Sequence, residues 1–372
     1  MQKKIIALAV AGLVSGAAFA QTNVTVYGTA DVTFDNVKAE GATTAGQNMA
    51  ARNRVSANSS ILGFRGTEDL GGGLKALFQF EGGVANDTAG AFTLNRDSFV
   101  GVEGGFGRVA AGILTGPTRA LGAAMEPFAG STGINANIGL IGKLGGDRVG
   151  SVAPATGFVT TPTTACLSST TCASIFDTRW NNAIAYTSPN FGGVTVTAVY
   201  VANENKSATL DTRGYDIGLR YAMGPILAGL TYNKVEVGNA ANTEAAATRA
   251  AVRYNFGQGT VGLLWDRVDL EATGVDRDRT AWFLPVTFNV TPTGKIVGQY
   301  GQAGDVTGIA NSGASMFALG YEHSLSKRTI VKAVWSQIRN EAGANYDFGI
   351  NAVGINAGAD PRGFQLGVRH SF

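Results

Sequence analysis

From Val24 onward, apolar and polar side chains alternate with period two in short runs, and turn residues separate the runs. Val24 and Val26 open the series before Tyr27-Gly28, and Ala30 and Val32 continue it. Leu74, Ala76, Phe78 and Phe80 alternate with Lys75, Leu77, Gln79 and Glu81. Val194, Val196, Ala198 and Tyr200 alternate with Thr195, Thr197 and Val199. Thr248, Ala250, Val252, Tyr254 and Phe256 alternate with Arg249, Ala251, Arg253 and Asn255. Phe364, Leu366, Val368, His370 and Phe372 alternate with Gln365, Gly367 and Arg369. A two-residue period places one set on each face of a strand, so the chain reads as all-β.

The connections fall into two lengths. Tight ones with Gly, Pro or Asn turn chemistry lie at Glu68–Gly73, Gly104–Gly107, Ser188–Gly193, Met223–Pro225, Gly257–Gly259, Thr291–Gly294 and Ser324–Arg328. Longer polar ones lie near 38–51, 85–91, 203–211, 238–246, 271–278, 304–312 and 340–360, with one much longer segment over 116–177. Seven tight turns alternating with eight long connections predict about 16 antiparallel strands, with both chain ends on the tight-turn side.

Composition changes the meaning of the strands. Only 15% of the 372 residues are charged although 45% are hydrophobic, against about 25% charged in soluble domains. No 18-residue apolar run exists, which excludes a membrane-spanning helix. Strands with one apolar face cross a bilayer only as a closed sheet, because an open edge leaves amides unpaired in lipid. The prediction is therefore a transmembrane antiparallel β-barrel. Aromatics near strand ends (Tyr27, Phe99, Tyr186, Tyr200, Tyr232, Tyr254, Trp265, Trp282, Tyr300, Tyr321 and Phe372) read as interfacial girdles. The 52 glycines, about twice the usual share, suit tight turns and close strand packing.

Residues 1–20 read as a secretory signal: Lys3 and Lys4, an apolar stretch Ile5–Val14, and small Ala18 and Ala20 before cleavage at Gln21. Its removal takes the formal charge from +2 to zero. A neutral chain has no bulk charge to attract nucleic acid. Cys166 and Cys172 lie in a Thr/Ser-rich stretch, and in an oxidising compartment a short disulfide is favoured over free thiols. The two histidines, His323 and His370, are distant from the cysteines, so no metal site and no cofactor are expected. His323 sits in a Glu-His-Ser context and His370 on the lipid-facing phase, neither beside a nucleophile motif, so no enzyme is expected.

Several stretches resemble the Gram-negative general porins of the beta-proteobacterial type. They are VTVYGTAD (24–31), SILGFRGTEDLGGGLKALFQFE (60–81), NRDSFVGVEGGFG (95–107), NNAIAYTSPNFGG (181–193), GYEHSLSKRT (320–329) and GFQLGVRHSF (363–372). The resemblance spans the mature chain, and GFRGTEDLGGGLKA is its most specific part. It implies a homotrimeric 16-stranded barrel in the outer membrane, contacts with lipid and lipopolysaccharide, and a terminal Phe372 that presents the chain to the barrel assembly machinery. It also implies that 116–177 is an inward-folded constriction loop. Three positions depart from the family pattern. Ser59-Ser60 stands where Ser-Arg is common, Gly112-Ile113-Leu114 where Gly-Arg-Gln is common, and Ala185 where an arginine is frequent.

A 16-stranded barrel leaves an aqueous lumen, and transport through it depends on diameter and charge rather than catalysis. Phase points Arg54, Arg179, Arg220, Arg249, Arg253 and Arg369 inward, with the acids Glu81, Asp216, Asp266 and Glu322. Arg96 is assigned to the eyelet by its family-like context. On the loop, Glu126, Asp147, Arg119, Lys143 and Arg148 are candidates to face the constriction. Arginine in excess favours anions. The expected function is passive diffusion of small hydrophilic solutes and ions with a weak anion preference. A substrate-selective porin and a non-conducting structural or adhesive barrel are the alternatives.

Overall fold

The structure is a computed structural model, and it describes residues 23–90, 92–130, 133–143, 176–177, 179–204, 206–208, 211–238 and 243–372. The signal segment, Asp147, Arg148, Cys166 and Cys172 lie outside these residues. The strands are β1 (Asn23–Glu40), β2 (Met49–Ala57), β3 (Ile61–Gly71), β4 (Leu74–Gly83), β5 (Ser98–Gly104), β6 (Gly107–Thr115), β7 (Arg179–Thr187), β8 (Val194–Val201) and β9 (Asp211–Met223). They continue as β10 (Ile226–Gly238), β11 (Thr243–Asn255), β12 (Gly259–Ala272), β13 (Val275–Asn289), β14 (Gly294–Ala303), β15 (Ala314–Ser324), β16 (Thr329–Asn340) and β17 (Asp360–Ser371). Among the described residues one α-helix, α1 (Pro117–Ala124), precedes a 3-10 turn at Asn137–Gly139.

Every strand pairs antiparallel with its neighbour, and β1 closes the ring on β17 from Thr29↔Ser371 to Glu40↔Asp360. β2 and β3 both pair with β1, in line with each other, so they are two halves of one crossing and the barrel has sixteen staves. The break between them falls at the Ser59-Ser60 departure. Asn58 donates to Thr33 Oγ1 at 2.9 Å, Ser60 Oγ accepts from Asp31 N at 2.9 Å, and Ser59 takes φ +37°. Polar side chains there replace ladder hydrogen bonds, which keeps the wall closed across the interruption.

The wall is apolar outside and polar inside. Phe34, Phe64, Phe80, Val100, Tyr200, Leu219, Leu230, Trp265, Leu319 and Leu366 are exposed, whereas Asp31, Asp35, Asp216, Arg249, Asp266, Glu322 and Gln365 are buried. The two faces follow the period-two phase strand by strand. Two of the expected girdle aromatics are on the other face. Tyr27 shares the inward phase of Asp31 and donates to Glu81 Oε2 at 2.9 Å. Phe99 stands opposite Gln79, in phase with Glu81, and packs against the buried cluster that contains Ala110, Leu114 and Trp180. Both strands carry apolar groups on both faces at these points, so phase alone misplaced them.

The stretch near 271–278 is not a long loop. β12 and β13 pair all the way to Ala272↔Val275, and only Thr273-Gly274 turn between them, with Gly274 at φ +75°. Arg267 bridges Asp269 at 2.8 Å and Asp278 at 3.5 Å. Polar composition there marks a ribbon rising above the membrane, and loops and emergent hairpins share that composition.

Candidate pore constriction

After β6 the chain turns into the barrel at Gly116, and Pro117 occupies the first turn of α1, where its missing N–H costs nothing. From there the segment runs around the inner wall, meeting a glycine on five of the strands it crosses. An added Cβ would lie 2.5 Å from Pro117 at Gly218, 2.7 Å from Leu121 at Gly229 and 2.6 Å from Met125 at Gly262. Further on it would meet Phe128 at 2.9 Å from Gly320 and Ile134 at 3.2 Å from Gly363. These inward glycines are sockets on β9, β10, β12, β15 and β17. They let an apolar segment seat against an otherwise polar wall.

Polar anchors fix the segment between the sockets. Asp216 Oδ1 accepts from Thr118 Oγ1 at 2.7 Å, and Glu322 Oε1 accepts from Ala129 N at 2.8 Å. Arg253 donates to Ala124 O at 2.6 Å. Arg249 is fully buried and holds both Asp177 oxygens at 2.6 and 2.8 Å, Asp266 at 2.9 Å and Thr118 O at 2.8 Å. Asp266 also accepts from Gly142 N at 2.6 Å, and Arg279 reaches Leu140 O at 3.2 Å. Glu126 is buried with Oε2 on Asn137 N at 2.7 Å and Oε1 unmatched. Burial, moderated by the Asn137 N–H, pushes the Glu126 carboxyl up to about 8.

A second segment enters the lumen, one that reads from sequence as a polar external connection. The last external connection, 341–359, buries Ala344, Tyr346, Phe348 and Val353 against Ile134, Leu140, Ile141 and Ile338. Arg52 donates to Val353 O at 2.7 Å and Asn351 to Asn58 Oδ1 at 2.8 Å, which tie it across to β2. The short period-two run Ala344, Tyr346 and Phe348 is the signal that could have flagged it, but it is too short to read as a strand.

The inward arginines therefore divide by cover. Arg249 points inward as phase requires, but the segment after β6 seals it from water, and Glu126 and Lys143 are likewise buried instead of facing the lumen. The first long segment uses these charges as its own anchors, which is why they lie beneath it. Arg54 pairs with Asp35 at 2.9 Å, and Arg369 joins Lys332 on Asp31 at 3.2 and 2.8 Å. Arg220 is exposed on the inward phase, toward the tight-turn rim. Where the segment leaves the wall, three guanidiniums meet two carboxylates. Arg96 bonds Glu81, Arg179 bonds Asp97 at 2.8 Å, and Arg119 donates to the carbonyl of Asp177. Side chains of Arg96 and Arg179 stay 25% and 14% exposed. Burial and the neighbouring Arg179 charge hold the Arg119 guanidinium down to about 10. Burial raises Asp97, but Arg179 and the Thr115 N–H and hydroxyl outweigh it and keep the carboxyl below its ordinary range. The cluster has one positive charge in excess. Asp97 was missed because it lies just before β5, outside any alternating run, and Tyr27 because its ring reads as a girdle aromatic.

Comparison with known proteins agrees with this geometry. The model of the Gram-negative porin family matches residues 7–343. Outer membrane porin protein 32 of Delftia acidovorans is 34% identical over the full length of both chains, and an outer membrane porin protein of Bordetella pertussis is 27% identical, also over both full lengths. Among solved structures, the anion-selective porin from Comamonas acidovorans superposes with a TM-score of 0.76 at 28% identity, covering 95% of this chain and 100% of its own. The trimer form of OmpT from Vibrio cholerae, at 14% identity and TM-score 0.65, covers 94% of this chain and 99% of its own, and shares the fold.

Proposed function

We propose, for a chain that belongs to the Gram-negative porin family, that its anion preference is set by the Arg96–Arg119–Arg179 cluster. The protein is a passive outer-membrane diffusion channel for small hydrophilic solutes and ions. The observation that carries the selectivity is the three-to-two ratio of guanidinium to carboxylate, with Arg96 and Arg179 partly open to water. A guanidinium about 6 Å from a passing anion contributes about 0.7 kcal/mol in water, roughly a threefold local enrichment. Added salt screens it. The anion-selective relative supports this sign of preference. Homotrimer assembly, export through a cleaved signal and recognition of Phe372 by the assembly machinery belong to the same reading.

Reversal potentials in planar bilayers under a salt gradient test it. The wild type is expected to prefer anions, and Arg96→Gln with Arg179→Gln is expected to move the potential toward cations. An unchanged potential in the double variant removes the cluster from selectivity.

A further inference from the structure

Below the Arg96 cluster, one guanidinium on the inward phase is left without an acid. Tyr27, Gly63 and Glu81 stand side by side in register across β1, β3 and β4. Arg65 is two residues further along β3, about 7 Å toward the tight-turn rim, beside Thr25 and Gln79. It is exposed and, among the described residues, has no carboxylate within ion-pair distance. The rim beneath it is balanced. Across β3, β4, β5 and β6 the inward row reads Asp69, Lys75, Glu103 and Arg108, each opposite the next, so its charges alternate in sign and cancel.

Tyr27 accounts for this isolation. Its ring crosses Gly63, where an added Cβ would lie 2.5 Å from the ring carbon Cζ, so a glycine is what leaves room for it. The Arg65 guanidinium rests on the ring face, 4.9 Å from the centroid, in a cation–π contact. The hydroxyl of the same ring donates to Glu81 Oε2 at 2.9 Å, and Glu81 Oε1 takes Arg96. Glu81 lies diagonally across from Arg65 in the β3–β4 register, a step of about 7–8 Å that a long side chain spans. Without the ring, base and acid would meet.

We propose that Tyr27 is a positioning residue for ion selectivity: standing between Arg65 and Glu81, it prevents their pairing and keeps Arg65 as a further specificity-determining charge in the lumen. This role rests on the reading that guanidiniums in excess of carboxylates set the anion preference. A ring face holds a guanidinium without neutralising it, so a passing ion meets the full charge, whereas a carboxylate at ion-pair distance cancels most of it. The hydroxyl acts in the same sense. It occupies the second Glu81 oxygen with a neutral donor, so that Glu81 offsets Arg96 alone.

Reversal potentials of the reconstituted protein in planar bilayers, at about 0.1 M salt where screening is moderate, test the role. Arg65→Gln is expected to lower the anion-to-cation permeability ratio about twofold. Tyr27→Leu is expected to lower it by the same factor, because Arg65 then pairs with Glu81, and the double variant to fall no further than either one. Tyr27→Phe keeps the ring and is expected to stay near the wild type. Heat-modifiable gel mobility and wild-type conductance in about 1 M salt, where the charge is screened, check the fold of each variant. An unchanged ratio in Arg65→Gln or Tyr27→Leu overturns the proposal, as do losses that add in the double variant or a Tyr27→Phe protein that behaves like Tyr27→Leu. Failure of the Arg96 cluster reading looks different: Arg96→Gln with Arg179→Gln then leaves the potential unchanged while Arg65→Gln still moves it.

Discussion

Replacing Arg249 by Gln should open the channel by freeing the constriction segment. The guanidinium makes four hydrogen bonds: two to Asp177, one to Asp266 and one to the carbonyl of Thr118 in α1. All three side chains in the charged set are essentially inaccessible to water. Removing one partner from a buried ion pair costs about 3–5 kcal/mol, because the remaining charge stays desolvated. Arg279 lies 3.9 Å from Asp266 and offsets part of that loss, so the unmatched charge is mainly on Asp177. The lower value, about 3 kcal/mol, still shifts the seated-to-released ratio by about two powers of ten. Single-channel recording should show larger, noisier conductance, and protease should cut within 116–177 faster than in the wild type. Converting the set to neutral residues together, Arg249→Met with Asp177→Asn and Asp266→Asn, should restore the small conductance. Gly229→Leu should release the same helix without touching any charge, since its Cβ alone would meet Leu121 at 2.7 Å. Wild-type conductance and protease resistance in Arg249→Gln, with a folded barrel by heat-modifiable gel mobility, would refute the anchor.

Two further outcomes follow from the same geometry. Glu126 is raised in the folded protein to about 8, above its unfolded value of about 4.3, so the seated segment is most stable below about pH 4. It loses stability as pH rises from there to 8 and changes little beyond; conductance should therefore grow from pH 5 to pH 9, and Glu126→Gln should remove that dependence. At the seam, Phe372 and Gly28 exchange backbone hydrogen bonds of 3.1 Å each, so Phe372→Ala should refold from denaturant as completely as the wild type while its yield in the outer membrane drops several-fold. Equal membrane yields would take the terminal ring out of assembly.

The barrel was legible because each strand satisfies two solvents at once. Thr248 to Phe256 shows this: Val252 and Tyr254 point to lipid, Arg249 and Arg253 point inward, and the pattern states both. Misreadings came where the pattern degenerates. Tyr27 and Phe99 are aromatic on an inward phase, and the hairpin tip at Thr273-Gly274 is polar on both faces because it stands in water. The inward fold of 341–359 was not legible, since its period-two run ends after Ala344, Tyr346 and Phe348 and its buried residues take their cover from a segment two hundred residues away.

The sequence by itself determined the wall: its strand count, its two faces and its closed edge. Those properties are local, set by a two-residue repeat and by the cost of an unpaired amide in lipid. Tertiary structure alone decided which inward charges meet water. Arg96 and Arg249 are both directed into the lumen, yet Arg96 keeps a quarter of its side chain exposed and Arg249 keeps none. The difference comes from glycines at 218, 229 and 262, which open sockets along the strands around Arg249 and let α1 settle over it. Cover depends on which distant residues are small enough to be approached, and that is a property of the assembled wall.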